Sequence, residues 1–233
     1  MKKLVVLSGA GMSADSGIQT FRDSNGLWEN YRIEEVATPQ AWNSNPEMVQ
    51  EFYNMRRANV MEASPNAAHL FLAELEQTFD VHVVTQNIDD LHERAGSSKV
   101  LHLHGNIRLA KSSGPEPEKK YYPINGPSLS LTEDFCDDGY PLRPHVVWFG
   151  EAVPALDEAG RVCAGADILL IIGTSLQVYP AAGLVHYAPP GSSKIVVDPG
   201  AKDLGLDSSF TQINSGAVSA LEDLREILHR LNQ

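Results

Sequence analysis

Cysteine is nearly absent: Cys136 and Cys163 are the two thiols in 233 residues. Two thiols cannot make a disulfide framework, and they cannot fill a four-thiolate metal site. Long apolar runs are missing as well. None approaches the ~20 residues that a membrane helix needs. Leu4-Val5-Val6-Leu7, after Met1-Lys2-Lys3, is too short for the hydrophobic region of a secretory signal. Positive charge is scarce, with 18 Lys and Arg against 30 Asp and Glu and a net charge of −12. That balance argues against non-specific nucleic-acid binding, which draws on a basic face. An acidic, solvated surface is expected instead, able to attract lysine-bearing protein tails. The expectation is therefore a cytoplasmic enzyme with no membrane or nucleic-acid partner. Its length suits one domain with a smaller inserted lobe. Internal repeats are lacking, and nothing fixes an oligomeric state, so a monomer is compatible.

What is present starts where the first apolar run breaks into Ser8-Gly9-Ala10-Gly11-Met12-Ser13-Ala14-Asp15-Ser16-Gly17. Strand, glycine turn and small residues opening a helix is how an α/β sheet meets a pyrophosphate. Gly9 permits the turn, Gly11 lets the backbone approach the phosphates, and Ala14 lets the helix pack closely. The N–H groups of the helix's first turn then face the anion. A strand-to-helix turn without ligand has the same local look. Gly17-Ile18-Gln19-Thr20-Phe21-Arg22-Asp23 tips the balance, because an aromatic and an arginine stand where a dehydrogenase would continue its helix. Nor does an acidic residue end a second strand about 20 residues past the glycines.

Further along, Pro39 to about Glu62 reads as helical and Ala67–Phe79 as a strong amphipathic helix. Apolar runs at 81–85, 100–105, 145–150, 167–175 and 194–198 read as strands, and 221–231 as a last amphipathic helix. Such alternation gives a Rossmann-like doubly wound parallel sheet with ligands at the strands' C-terminal ends. Between Lys111 and Pro144 the period is lost, which suggests a small irregular lobe. The division expected is a large part at 1–34, 64–110 and 142–233, and a lobe at 35–63 (helical) and 111–141.

Gln86-Asn87-Ile88-Asp89 places amides and a carboxylate after a buried strand. Asn87 can donate to and accept from a carboxamide, and Asp89 can accept from one. A polar turn with Asp89 or Asp90 capping the next helix is the plainer alternative. His102 and His104 lie two apart on an expected strand and so point to one side. They could form a metal pair, but no third ligand is identifiable, and histidine is also the side chain best placed to take a proton near neutral pH. Tyr53 and Arg56, at i and i+3, project from one helix face. Locally they read as a core tyrosine beside an exposed arginine.

Gly9 to Arg22 fits Gly-Ala-Gly-x-Ser-x-x-Ser-Gly-Ile-x-x-Phe-Arg, which resembles the opening signature of the sirtuins, the NAD-consuming protein deacylases. Thr85-Gln86-Asn87-Ile88-Asp89, followed by Leu91-His92, matches that family's nicotinamide-pocket pattern at every position, and the resemblance covers nearly the whole chain. It implies that NAD is consumed as a co-substrate. Its nicotinamide and phosphates would lie against Gly9, Ala10, Gly11, Ser13, Ala14, Thr20, Phe21, Arg22, Trp28, Gln86, Asn87, Ile88 and Asp89. The adenosine half would meet Gly173, Thr174, Ser175, Asp198, Pro199 and Ala217. The family's base is the histidine before glycine, hence His104 and not His102. Val147, Trp148, Phe149 and Gly150 would floor the groove for an acyl-lysine peptide, an added strand. Ala37, Tyr53 and Arg56 resemble the substrate pocket of the subclass that removes acidic acyl groups, succinyl and malonyl, beside acetyl. The acyl oxygen would displace nicotinamide, and His104 would deprotonate the ribose hydroxyl that attacks the acyl carbon. Lysine, nicotinamide and acyl-ADP-ribose would be the products.

Three departures stand out. Gln19 replaces a usual proline, and Asp198 a usual asparagine. Sirtuins typically carry two Cys-x-x-Cys pairs before the Trp-Phe-Gly segment, where this chain has only Cys136, with Ser112-Ser113 about where the first pair would fall. A metal-free lobe, a remnant of the zinc module, is the expectation, with Tyr121, Tyr122, Ile124, Leu129, Leu131 and Phe135 offsetting the lost zinc. Two rivals share the pocket: a protein mono-ADP-ribosyltransferase, and a non-catalytic NAD-sensing module that gives no reason to retain His104.

Overall fold

The computed structural model describes residues 1–18, 31–115 and 120–233. Thr20, Phe21, Arg22 and Trp28, all expected against NAD, lie outside the described residues. The strands are β1 (Lys3–Ser8), β2 (Asp80–Thr85), β3 (Val100–His102), β4 (Gly105–Ser112), β5 (Tyr122–Pro123), β6 (Leu142–Val146), β7 (Ile168–Ile172), β8 (Ser193–Val197) and β9 (Phe210–Ile213). The α-helices are α1 (Ile33–Val36), α2 (Pro39–Ser44), α3 (Pro46–Glu62), α4 (Ala67–Glu74), α5 (Leu91–Arg94), α6 (Leu156–Ala164) and α7 (Leu221–Asn232).

Six strands form one parallel sheet in the order β3-β2-β1-β7-β8-β9. Alternate residues of each strand point to opposite faces. Leu4 and Val6 meet Phe71 and Leu72 of α4 and Leu224 and Leu228 of α7. Val5 and Leu7 meet Ala159 and Cys163 of α6, with Leu184 of the 3-10 segment Ala181–Tyr187. Both faces are covered, which is why these strands read as unbroken apolar runs. Each large side chain so buried contributes about 1.5–3 kcal/mol. β1 sits between β2 and β7, so the connections diverge on either side of it. A crevice opens at such a switch point, at the strands' C-terminal ends. This is the doubly wound α/β architecture the sequence implies.

The local differences have physical causes. The helix expected after Gly11 is instead two 3-10 turns, Ala10–Met12 and Ala14–Ser16, ended by Gly17 at φ +81. Ala14 is exposed and does not pack against the strand. The helical stretch from Pro39 divides at Asn45, whose side chain accepts from the Met48 amide (3.1 Å) and caps α3. The strand expected over 100–105 ends at His102, and Gly105 opens β4 in a second sheet, order β5-β4-β6.

That antiparallel sheet encloses Ala110, Ile124, Leu129, Cys136 and Leu142, with Tyr122 against them. Tyr121 and Phe135, expected to help fill this core, are exposed. Much of the attachment is polar instead. Gln50 and Asn54 of α3 donate to the Leu129 carbonyl (2.8 and 3.0 Å), and Asn54 Oδ1 accepts from the Leu129 amide (3.0 Å). Arg57, fully buried, donates to the carbonyls of Ile107 (2.8 Å) and Pro127 (2.9 Å). Burial lowers its pKa to about 10.

Candidate functional site

The loop after β1, the turn after β2 and the loop after β7 meet at the crevice. The Gly9 amide donates to the Ile172 carbonyl (3.1 Å) and the Gly11 amide to the Gly173 carbonyl (2.8 Å). A Cβ on Gly9 would stand 2.6 Å from Thr174 Cβ, and one on Gly11 2.9 Å from Gly173 Cα. Gly173 lies at φ +64, and a Cβ there would reach the Met12 nitrogen at 2.3 Å. These glycines are therefore required where two backbones cross, whatever binds above them. Gly9 itself, at φ −132, has no need of glycine's conformational freedom.

The crossing loops carry a buried polar chain. Asn87 Nδ2 donates to Ser13 Oγ (3.0 Å), and Ser13 Oγ donates to Asp89 Oδ2 (3.0 Å). Asp89 Oδ1 accepts from the Leu91 amide (3.2 Å), so this carboxylate also sits at the start of α5, as the plainer reading of the turn had it. Burial raises the Asp89 pKa, and the bonds from Leu91 and Ser13 oppose that shift. Gln86 Nε2 donates to Thr174 Oγ1 (3.1 Å), joining the β2 turn to the β7 loop. Buried donors and acceptors gathered at a switch-point crevice suit a ligand with a carboxamide, and the glycine crossing brings main chain close beneath it.

Both histidines reach back to this turn. His104 Nδ1 lies 2.9 Å from the Gln86 carbonyl and His102 Nδ1 2.9 Å from the Asn87 carbonyl. A carbonyl only accepts, so each Nδ1 carries a proton. For His104 this leaves the Nε2 lone pair for a substrate proton. Burial lowers the His104 pKa, with the Gln86 bond opposing, and this favours the neutral, basic ring. His102 differs: its Nε2 lies 2.7 Å from Glu93 Oε1. Burial works against its charge, but Glu93, the Asn87 carbonyl and Asp89 together outweigh it and the His102 pKa is raised. The two rings are not neighbours on one strand as their spacing suggests, since the chain passes from one sheet to the other between them.

Beyond β6, the Val147 amide donates to the His104 carbonyl and the Phe149 amide to the Ala37 carbonyl, both at 2.9 Å. Trp148 is only 2 % exposed, and its Nε1 donates to the hydroxyl of Tyr53, itself 1 % exposed (3.1 Å). Burial pushes the Tyr53 pKa up to about 12. Its phenolic proton is left to be donated. Phe149, 46 % exposed, and Gly150 form the open part of the segment. Arg56 is partly buried; burial lowers its pKa, while Tyr53 and Asp89 act in the opposite sense. It therefore stands electrostatically between the aromatic cluster and the β2 turn.

Two residues escaped the sequence reading. The Arg143 guanidinium lies 3.2 Å over the Trp148 ring and grips Glu151 through its two terminal nitrogens (2.8 and 3.2 Å). Glu151 Oε2 in turn accepts from the Trp148 amide (2.8 Å). Opposite charges on either side of an apolar run were the available signal.

On the far side, Asp198 Oδ1 accepts from the Gly200 amide (2.8 Å), Pro199 is exposed, and Ala217 is buried in the core. Ser175 follows Thr174 on the partly buried edge of the β7 loop. Ile88 packs against the cluster containing Tyr53 and Trp148. A cavity of about 380 Å³ opens at the opposite end of the sheet, beside Lys2, Asp167 and Ser193, remote from all these groups. In the small lobe Cys136 Sγ donates to Ser112 Oγ (3.3 Å). A thiol and a hydroxyl do not fit a tetrahedral zinc centre. Among the described residues no three His, Cys, Asp or Glu side chains are grouped to hold a metal ion.

The comparisons with known proteins agree with this geometry. The Sir2 family profile matches residues 9–180. An NAD-dependent protein deacylase of Bacteroides thetaiotaomicron is 49% identical over 230 residues, covering 98% of each chain. One from Helicobacter pylori is 51% identical over 224 residues, covering 96% of each. Among solved structures, a Sir2 homologue in complex with NAD superposes with a TM-score of 0.86 at 39% identity, covering 100% of this chain and 91% of that one. A mutant Sir2 homologue in complex with ADP-ribose gives 0.86 at 38% identity, covering 98% and 94%. With its doubly wound sheet, its strand-end polar chain and these relatives, the chain belongs to the Sir2 family, the sirtuins.

Proposed function

We propose that this sirtuin is an NAD-dependent protein-lysine deacylase whose base is His104. The observation that carries the reading is the convergence of the Asn87–Ser13–Asp89 chain and the oriented His104 ring on one crevice. NAD supplies the ribose hydroxyl that receives the acyl group, and it is consumed, with nicotinamide and acyl-ADP-ribose released. Asn87 and Asp89 hold the carboxamide, and Gly9, Gly11 and Gly173 keep the main chain low beneath the phosphates. His104 Nε2 takes the proton of the ribose hydroxyl. Thr174, Ser175, Asp198 and Pro199 line the adenosine side. Val147, Phe149 and Gly150 receive the peptide, and Ala37 joins the pocket through its carbonyl bond to Phe149.

The acyl preference rests on Tyr53 and Arg56. A guanidinium near a phenol with a proton to donate suits a carboxylate-bearing acyl chain, succinyl or malonyl, beside acetyl. The protein would act in the cytoplasm on acylated proteins and work without zinc, because a buried Cys136–Ser112 contact occupies the small lobe. Purified protein incubated with NAD and acetyl-, malonyl- and succinyl-lysine peptides tests the reading by mass spectrometry. Acyl-ADP-ribose and free lysine are expected. ADP-ribose attached to protein would point to the transferase alternative, and no product at all to an NAD-sensing module.

A further inference from the structure

His102 touches no expected substrate, yet it ties the β2 turn to α5 through both ring nitrogens. Its Nδ1 faces the Asn87 carbonyl at 2.9 Å and its Nε2 faces Glu93 Oε1 at 2.7 Å. Both partners only accept, so both bonds together require a proton on each nitrogen. Asn106 Nδ2 also approaches Nε2, but at 3.4 Å it is the longer and weaker contact. The neighbouring carbonyl, that of Gln86, is the one that orients His104. We infer that His102 is a positioning residue: an imidazolium clamped between Glu93 and the Asn87 carbonyl, which fixes the main-chain turn that aims His104.

Consequences for pH follow from the groups that face His102. Glu93 and His92 come from α5, Asp89 from the turn after β2, and His145 from β6. Burial holds His92 and His145 neutral, with pKa values of about 3 and about 4. The two carboxylates favour the charged ring. His102 is thus the member of this group that loses a proton on the alkaline side. When it does, one of its two bonds must break, and the turn behind His104 loosens.

This inference rests on the deacylase reading, and its test separates the two. In wild type, kcat should rise with pH as His104 becomes neutral and fall again as His102 deprotonates. In Glu93→Gln the side-chain amide can accept from a charged ring or donate to a neutral one, so both bonds survive deprotonation and the falling limb should disappear. A purely structural role for Glu93 would lower kcat at every pH without changing the shape of the profile. His102→Ala should lower kcat at least tenfold while changing KM for the peptide less than twofold, since the ring aims the base and touches no peptide. Independently of turnover, nitrogen-15 NMR of labelled histidines reads the ring directly. At a pH above the ordinary histidine pKa of about 6.5, wild-type His102 should keep both protons, and Glu93→Gln should lose one of them. A neutral His102 in wild type at that pH, or a falling limb unchanged in Glu93→Gln, overturns the clamp. Failure of wild type to deacylate any peptide overturns the deacylase reading, and the NMR titration still decides whether the clamp exists.

Discussion

His102 and His104 stand two residues apart and yet are suited to opposite charge states, because one faces a carboxylate and the other faces only a carbonyl. His104 has its pKa lowered by burial, so its basic form is populated from below the ordinary histidine range upward. Its rising limb in kcat should therefore lie on the acid side of about pH 6.5. His104→Ala should lower deacylation at least ~100-fold, the usual worth of a positioned base, with NAD binding by calorimetry largely kept. At Arg56 the expectation concerns selectivity. A hydrogen bond to a charged group contributes about 1.5–3 kcal/mol, roughly 10- to 150-fold in kcat/KM where it persists in the transition state. Arg56→Met should depress succinyl-peptide turnover at least tenfold and acetyl turnover far less, at saturating NAD. Equal losses on both peptides would reduce Arg56 to a helix-surface residue. The expectations for His104 and Arg56 came from the sirtuin resemblance, since local spacing alone leaves an undecided strand histidine and an exposed helical arginine. Arg143 and Glu151 were not legible: opposite charges flanking an apolar run hint at an ion pair, but nothing in linear spacing announces that Arg143 stacks on the face of Trp148.

Among the elements, the parallel strands could be read from composition because burial on both faces demands unbroken apolar runs. The departures all involve backbone events. Nothing local distinguishes a helix start from two 3-10 turns, and the break between β3 and β4 is visible only as a glycine, Gly105, whose Cβ would lie 2.1 Å from the His145 carbonyl. The short strand β9 and the helix α6 went unread because each is brief and of mixed composition. The crossing of the β1 and β7 loops yields the next prediction. Gly173→Ala combines a left-handed φ with a contact of 2.3 Å to backbone nitrogen. Overpacking alone costs about 1–3 kcal/mol, and a protein of this size loses roughly 2–4 °C in Tm per kcal/mol. A fall of roughly 5 °C or more by calorimetry is expected. An unchanged Tm would show that the two loops separate readily.

For the molecule as a whole, acid should be the sensitive direction. His69 and His92 are buried edge to face, 4.9 Å between ring centroids, with pKa values lowered to about 4 and about 3 by burial. Unfolded, each would titrate near 6.5. Between those values the unfolded chain binds more protons, so stability is fully present above about pH 6.5 and is lost as pH falls toward 3–4. Urea midpoints should decline over that window, and His69→Leu should flatten part of the slope. A midpoint independent of pH would mean that the pair is already charged or already open. Metal should matter little: protein purified without chelator should hold far less than one zinc per chain, and EDTA should leave activity intact. Stoichiometric zinc would mean that the small lobe rearranges around a ligand set other than Cys136 and Ser112.

Helix α3 carries one further consequence. Gln50, Asn54 and Arg57 lie along one line of the helix and hold the 127–129 segment. Tyr53 and Arg56 point about a quarter-turn away, at 100° per residue. Attachment and recognition thus occupy separate rows of a single rod. A library that randomises position 56 while keeping 50, 53, 54 and 57 would sample new acyl chains on an intact scaffold, because Tyr53 is itself part of the core with Phe52 and Trp148. The complementary library would alter how firmly the lobe is held and leave the chemical alphabet of the pocket as it stands.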